Sequence, residues 1–165
     1  MARESLQEAY VEQLQDLYNA EQQILKALPK MAKKAGHKEL REALSEHERV
    51  TKVQVERLEK IFDELGARPG GAKCKGMEGL LAEGEEVMEK HSDRDTLDAA
   101  MIVAAQKVEH YEIAGYGSAR TFASMLGLEK QADLLQETLD EEGQTDKKLT
   151  DLAERVINID AITER

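Results

Sequence analysis

Ionisable side chains interrupt an apolar helical face in the stretch "AAQKVEHYEIAGYG", residues 104–117. Residues three, four or seven positions apart share one face of a helix, so Glu109 and Glu112 share a face with Ile102 and Tyr116. The apolar neighbours predict that this face is buried. A buried carboxylate without a partner costs several kcal/mol, so these two glutamates need a counter-charge.

Three other segments carry the same kind of interruption. In each, a glutamate or a histidine follows a leucine by three or four positions and therefore lies on the face that the leucines predict to be buried. The residues concerned are Glu21, His47, Glu142 and, four positions after Glu142, Asp146. A single acid at the edge of an apolar stripe is ordinarily solvated, and a core histidine is ordinarily a packing residue. Here, however, all four predicted helices carry an ionisable residue near the middle of the apolar face. Randomly placed residues would not coincide in this way.

A metal ion is the simplest counter-charge for such a set. No Lys or Arg lies at mid-length on these faces, apart from Lys107 and Arg120 near the edge of one of them. Oxygen-rich ligands with one imidazole suit iron or manganese. The predicted metal ligands are Glu21, His47, Glu109, Glu112, Glu142 and Asp146.

The spacing along the helices predicts two levels of ligands. Glu112 and Glu142 both lie 15 residues from Gly127, and Glu109 and Asp146 lie 18 and 19 residues from it. Two levels could hold two ions per chain. In the first hairpin Thr51 is level with Glu21, and His47 lies one turn, roughly 6 Å, away along the axis. His47 is therefore either a direct ligand or a residue one turn from the ions.

Long helices must position these residues. Segments rich in Ala, Leu, Glu, Lys and Gln predict helices at about 5–34, 38–65, 94–126 and 129–157, with breaks at Gly36, Gly66 and Gly127. Pro29 inside the first segment predicts a kink. Residues 66–76 have the composition of a loop, and residues 77–91 predict a short helix weakened by two glycines.

Short breaks within each pair of long helices predict two antiparallel hairpins. A long connection that contains its own short helix joins them. The fold class is therefore all-α, a ferritin-like four-helix bundle with a crossover, in one domain over residues 1–165. An irregular five-helix bundle is the alternative.

Composition excludes several classes of partner. The net charge is -11, so a basic surface for nucleic acid is absent and an anionic membrane would repel the protein. Because Cys74 is the single cysteine, an internal disulfide is excluded, and residues 1–15 lack the apolar core of a signal peptide. We expect a cytoplasmic protein.

Four stretches together resemble the YciF-like family of bacterial ferritin-like proteins. They are "LQDLYNAEQQILKALPKM", "EHERVTKVQVERL", "QKVEHYEIAGYGSAR" and "LLQETLDEEGQTDKKLTDLAE". The resemblance covers almost the whole chain, including "KCKGMEGLLAEGEE" in the crossover. It implies a bundle similar to rubrerythrin in its core, a dinuclear metal centre and a link to bacterial stress responses.

The chain departs from the usual ligand pattern of such proteins. Ferritin-like di-iron proteins place a Glu on each of two helices and Glu-x-x-His on each of the other two. Neither the second nor the fourth long helix here contains Glu-x-x-His: the second offers His47, and the fourth offers Glu142 with Thr145.

Three functions are consistent with these residues. The leading hypothesis is a di-metal oxidoreductase acting on dioxygen or peroxide, in which Glu109 or Glu112 bridges the ions, Glu21 and Glu142 are terminal ligands, and His47 and Asp146 complete the set. Tyr18, Tyr111 and Tyr116 are close enough in sequence to donate hydrogen bonds or electrons.

The second hypothesis is a non-catalytic metal-binding or structural stress protein. In either case we expect a homodimer, because nothing in the sequence specifies a ferritin cage. The third, a magnesium-dependent nuclease or hydrolase, fits the carboxylates but neither the resemblance of the helical bundle nor the acidic surface.

Overall fold

The computed structural model describes residues 5–163, and every regular element in that range is helical. The elements are α1 (Leu6–Lys34), α2 (Lys38–Leu65), α3 (Lys75–Lys90), α4 (Arg94–Met125), α5 (Glu129–Leu152), a π-helical turn (Ala153–Ile157) and α6 (Asn158–Thr163). The predicted all-α fold class is confirmed. α1 continues through Pro29 as one helix.

Two antiparallel hairpins form the bundle. α1 packs along α2 and α4 packs along α5, and the two hairpins join through contacts of α1 with α4 and of α2 with α5. The crossover helix α3 packs on α4 and α1. This is the predicted arrangement of four long helices with one long connection, as in ferritin-like bundles.

Two glycines end helices as their positions predict. Gly66 follows α2 with φ +61°, and Gly127 follows α4 with φ +74°. Both values lie in the left-handed region, which costs glycine little and other residues more. Each glycine therefore ends its helix and turns the chain.

The end of α1 has a different cause. Gly36 does not have a positive φ, and the break between α1 and α2 is held by Asp98 of α4. The Asp98 carboxylate is buried and accepts hydrogen bonds from the backbone N–H groups of Gly36 (2.7 Å) and His37 (2.6 Å). An anion at the start of α2 satisfies donors that a helix leaves unpaired.

The last long helix, predicted over about 129–157, is helical throughout that range and continues to Thr163, but not as one α-helix. α5 ends at Leu152, and the next turn is π-helical, with the Asn158 N–H donating to the carbonyl of Ala153. The wider turn places both Ala153 and Ile157 in the core. The helical period predicts a continuous helix there because apolar spacing alone does not distinguish an α turn from a π turn.

The core consists of two apolar clusters with buried polar residues between them. The lower cluster includes Tyr10, Leu14 and Leu17 of α1, and the upper cluster includes Ile24 and Leu28 of the same helix. Buried polar residues of each long helix lie between the two clusters, whereas Asp98 of α4 and Gln131 of α5 are buried near helix ends. The polar interruptions predicted at mid-length therefore meet inside the bundle.

Within residues 5–163, no helix is both long and apolar enough to span a bilayer.

Candidate metal centre

Three helices bring four side chains together at the middle of the bundle. Their potential ligand atoms all lie within 4.8 Å of one another, and all four side chains are buried. The residues are His47 of α2, Glu109 and Glu112 of α4, and Glu142 of α5. Glu109 and Glu112 belong to adjacent turns of one helix, so they present two carboxylates to the same space.

Glu21 supplies the contribution of α1. Its side chain is fully buried, one carboxylate oxygen accepts a 2.5 Å hydrogen bond from the Tyr116 hydroxyl, and its carboxyl group faces that of Glu112. Glu21 therefore borders the four-residue cluster on the side of Glu112.

Asp146 does not join the cluster. Its carboxylate accepts a hydrogen bond from Gln106 Nε2 (3.1 Å) and lies 3.2 Å from His110 Nε2, with about a quarter of the side chain exposed. Four residues advance a helix by about 40° beyond one full turn. The depth of Asp146 was predicted from its distance to Gly127, but this rotation places it at the edge of the inner face.

His47 belongs to the cluster, although its position along α2 predicted that it could lie one turn away. Its Nδ1 lies 3.2 Å from Glu109 Oε1, and its Nε2 is buried without a hydrogen-bond partner. Thr51 and Gln54 lie on the following turns of α2, and both are buried. They are three residues apart, as the two ligands of a Glu-x-x-His motif would be. The cluster therefore contains one imidazole, at the level of Glu109.

Most oxygen atoms of the cluster have no hydrogen-bond donor. Both oxygens of Glu109, both of Glu112 and one each of Glu21 and Glu142 are buried without a partner. Among residues 5–163, no lysine or arginine hydrogen bonds or pairs with these carboxylates; Lys107, for example, contacts Glu83 at the surface. Buried oxygens without donors are the arrangement that a bound cation would satisfy.

Burial also determines how the metal-free site holds protons. It raises the pKa of Glu21 to about 8, with repulsion from Glu142 adding to the effect and the hydrogen bond from Tyr116 opposing it. The pKa values of Glu109 and Glu112 are raised well above their usual range, first by burial and then by the neighbouring carboxylates. Burial lowers the pKa of His47. Without a cation, the site keeps protons at neutral pH, and a metal ion would have to displace them.

A hydrogen-bonded chain from the surface orients Glu142. Gln54 Nε2 donates to Glu142 Oε1 (2.5 Å) and to Glu141 Oε2 (3.2 Å), and Arg57 binds both oxygens of Glu141 at 2.6 and 2.8 Å. The free oxygen of Glu142, Oε2, remains available to the cluster. Neither Arg57 nor Glu141 was predicted from the sequence. Because Arg57 lies three residues after Gln54, it shares a helix face with that residue, and this spacing could have suggested its role.

The other tyrosines named from the sequence lie outside the cluster. Tyr18 donates a hydrogen bond to Glu59, and Tyr111 donates to Asp16 and contacts the thiol of Cys74 at 3.0 Å. Tyr116 is therefore the tyrosine whose hydroxyl reaches a carboxylate of the site.

Comparison with known proteins identifies relatives over nearly the whole chain. The family model described as a domain of unknown function, DUF892, matches residues 5–162. Protein YciF of Escherichia coli K12 is 43% identical over 159 residues, which cover 96% of this chain and 96% of YciF.

Solved structures agree with this relationship. The crystal structure of the E. coli stress protein YciF has a TM-score of 0.90 at 43% identity and covers 94% of this chain and 99% of that one. YcfI of Rhodopseudomonas palustris has a TM-score of 0.87 at 39% identity, with 89% and 94% covered. A protein of Xanthomonas campestris shares the fold at 22% identity, with a TM-score of 0.77 over 94% and 95% of the two chains. The chain belongs to the DUF892 family and is YciF-like.

Proposed function

We propose that the buried cluster is a dinuclear iron or manganese centre and that the protein handles dioxygen or peroxide as part of a stress response. The observation that carries the proposal is the convergence of carboxylate oxygens without donors, from α1, α4 and α5, beside the one imidazole of α2. Carboxylates with imidazole form a donor set suited to iron and manganese.

The geometry suggests a role for each ligand. His47, Glu109, Glu112 and Glu142 are close enough together to hold one ion. Glu21 faces Glu112 and would hold the second ion with it, so Glu112 is the natural bridging residue. Asp146 stays outside this ligand set because its carboxylate is directed at Gln106 and His110.

Iron or manganese would supply the redox chemistry and a site at which dioxygen or peroxide reacts. The residues of the chain prepare that site. Gln54 orients Glu142 through a direct hydrogen bond, and Tyr116 holds a hydroxyl proton at the carboxylate of Glu21. The apolar clusters above and below exclude bulk water, which strengthens every charge interaction inside. A role in stress agrees with the description of the E. coli relative YciF as a stress protein.

Consumption of hydrogen peroxide and of dioxygen by metal-loaded protein tests the proposed activity. Glu142→Gln keeps the size of the side chain but removes the ligand charge, so we expect it to lower both metal content and consumption. Asp146→Asn is the matched control, because it makes the same chemical change outside the ligand set. Full metal content without consumption of either oxidant would remove the catalytic part of the proposal.

A non-catalytic metal-binding or structural role is the second candidate. The site has one imidazole where ferritin-like di-iron centres have two, and a structural role is suggested for the relative YcfI. In both candidates we infer a cytoplasmic homodimer, since two-fold dimers are the commonest soluble assemblies. Sedimentation at micromolar concentration tests the dimer.

A further inference from the structure

A pocket of about 90 Å³ lies between α2 and α5 and ends at His47. Its walls include the aliphatic side chains of Leu44, Val50 and Leu149, and the exposed residues Glu46 and Lys148 lie at its outer end. The volume is sufficient for a molecule of a few heavy atoms. The pocket therefore leads from the protein surface to a residue of the candidate metal centre.

His47 gives the inner end of this pocket a polar atom. Its Nε2 is buried and has no hydrogen-bond partner, and its Nδ1 lies beside Glu109. A cavity on the other side, lined by His47, Glu109 and Leu28, is only about 10 Å³. The pocket between α2 and α5 is thus larger than this second space beside the imidazole.

The lining favours a small uncharged molecule. Beyond Glu46 and Lys148, which carry opposite charges at the outer end, the walls present alkyl groups, Thr145 and the imidazole. An ion would lose its hydration there without gaining a fixed partner charge, whereas a diatomic gas would lose little. An apolar molecule would instead be favoured by the alkyl groups that line the pocket.

We propose that this pocket is the entrance through which dioxygen, or a neutral molecule of similar size, reaches the metal centre, with Val50 forming part of its wall. The reason for dioxygen to enter the pocket rests on the proposed function. The access itself is a property of the metal-free protein and can be measured without loading the site.

Dissolved dioxygen is itself the probe, because it is paramagnetic and relaxes nearby methyl protons. The experiment compares leucine methyl relaxation in metal-free protein under nitrogen and under oxygen pressure. Leu44 and Leu149 line the pocket, whereas Leu14 and Leu17 are equally buried in the lower cluster. We expect oxygen to relax the pocket leucines at least about threefold more than the other two, as an accessible apolar cavity predicts.

A pair of valine substitutions tests the role of Val50. Val50→Phe narrows the pocket and should abolish the excess relaxation, whereas Val53→Phe makes the same change at an exposed position of the same helix and should retain it. Equal relaxation at all four leucines, or an excess at Leu28 on the opposite side, would overturn the proposal. So would an excess that persists in Val50→Phe. Metal content, measured separately, reports on the proposed function, so the two can fail independently.

Discussion

The hydroxyl of Tyr116 donates a 2.5 Å hydrogen bond to the carboxylate of Glu21, and both side chains are fully buried. Tyr116 belongs to the lower apolar cluster, and Glu21 borders the candidate metal centre. The bond therefore connects the packed core to the site. It also opposes the effect of burial on the pKa of Glu21.

Tyr116→Phe should destabilise the protein by about 1–3 kcal/mol, because it leaves a buried carboxylate without its donor. The loss should be larger at pH 8.5 than at pH 6, since Glu21 is charged at the higher pH. Urea denaturation at both pH values provides the measurement. Tyr10→Phe is the control, because Tyr10 donates to the neutral side chain of Gln131. Equal pH dependence of the two variants would contradict this account of Glu21.

Raising the pH should destabilise the metal-free protein. In the folded state the pKa values of Glu21, Glu109 and Glu112 are raised, so the native chain binds more protons than the unfolded chain above pH 4.5. Their stabilising contribution is complete below that value and is lost as the pH rises through the raised pKa values, of which that of Glu21 is about 8. The pKa of His47 is lowered by burial, so it opposes this trend only below 6.5.

Between pH 6.5 and 8.5 the free energy of unfolding should therefore fall by roughly 2 kcal/mol or more. Glu21→Gln, which cannot titrate, should show a smaller slope. Manganese should flatten the dependence, since a bound cation replaces the protons. Chemical denaturation of metal-free protein at several pH values measures the slope. Stability that rises over this interval would contradict the predicted protonation of the site.

Gln54→Met should weaken metal binding by about 10–100-fold, the usual effect of losing a group that orients a ligand. The substitution removes the donor to Glu142 while preserving size. Gln131→Met is the control, because Gln131 is also a buried amide but contacts Tyr10 and Glu64. Calorimetric titration of metal-free protein with manganese gives the affinities. Unchanged affinity in Gln54→Met would exclude a positioning role.

Asp98→Ala should destabilise the fold by about 2–4 kcal/mol, because two backbone N–H groups at the start of α2 lose a charged acceptor. Metal content should not change, since Asp98 is not in the cluster. Thermal and urea unfolding measure the loss. Asp133→Ala, at an exposed position of α5, should have little effect. A similar small effect in Asp98→Ala would show that the α1–α2 turn is held by other contacts.

The helical period was sufficient to predict the bundle and the level of the polar residues. Long apolar stripes with glycine breaks predict which face of each helix is buried. In the structure, the polar residues on those faces are buried: Glu21, His47, Glu109, Glu112 and Glu142. Metal binding by these residues stays a prediction. Their burial on facing helices is a property of the structure.

Contacts that depend on helix rotation and on distant partners could not be predicted in the same way. Asp146 has the right depth but lies at the edge of its face, and Asp98 acts on a turn some 60 residues away in the chain. The pairing of Arg57 with Glu141 crosses between two hairpins. Such contacts are determined by how helices rotate and pack, which spacing within one helix does not encode.

Elemental analysis of protein purified without chelator, from medium containing iron and manganese, tests the central claim most directly. The comparison uses wild type, Glu109→Gln and the matched control Asp146→Asn. The account predicts about two iron or manganese ions per chain in wild type and Asp146→Asn, as in ferritin-like di-metal centres, and their loss in Glu109→Gln. Wild-type protein without bound metal, or equal metal content in all three proteins, would contradict it and leave the buried carboxyl groups as a proton-sharing network.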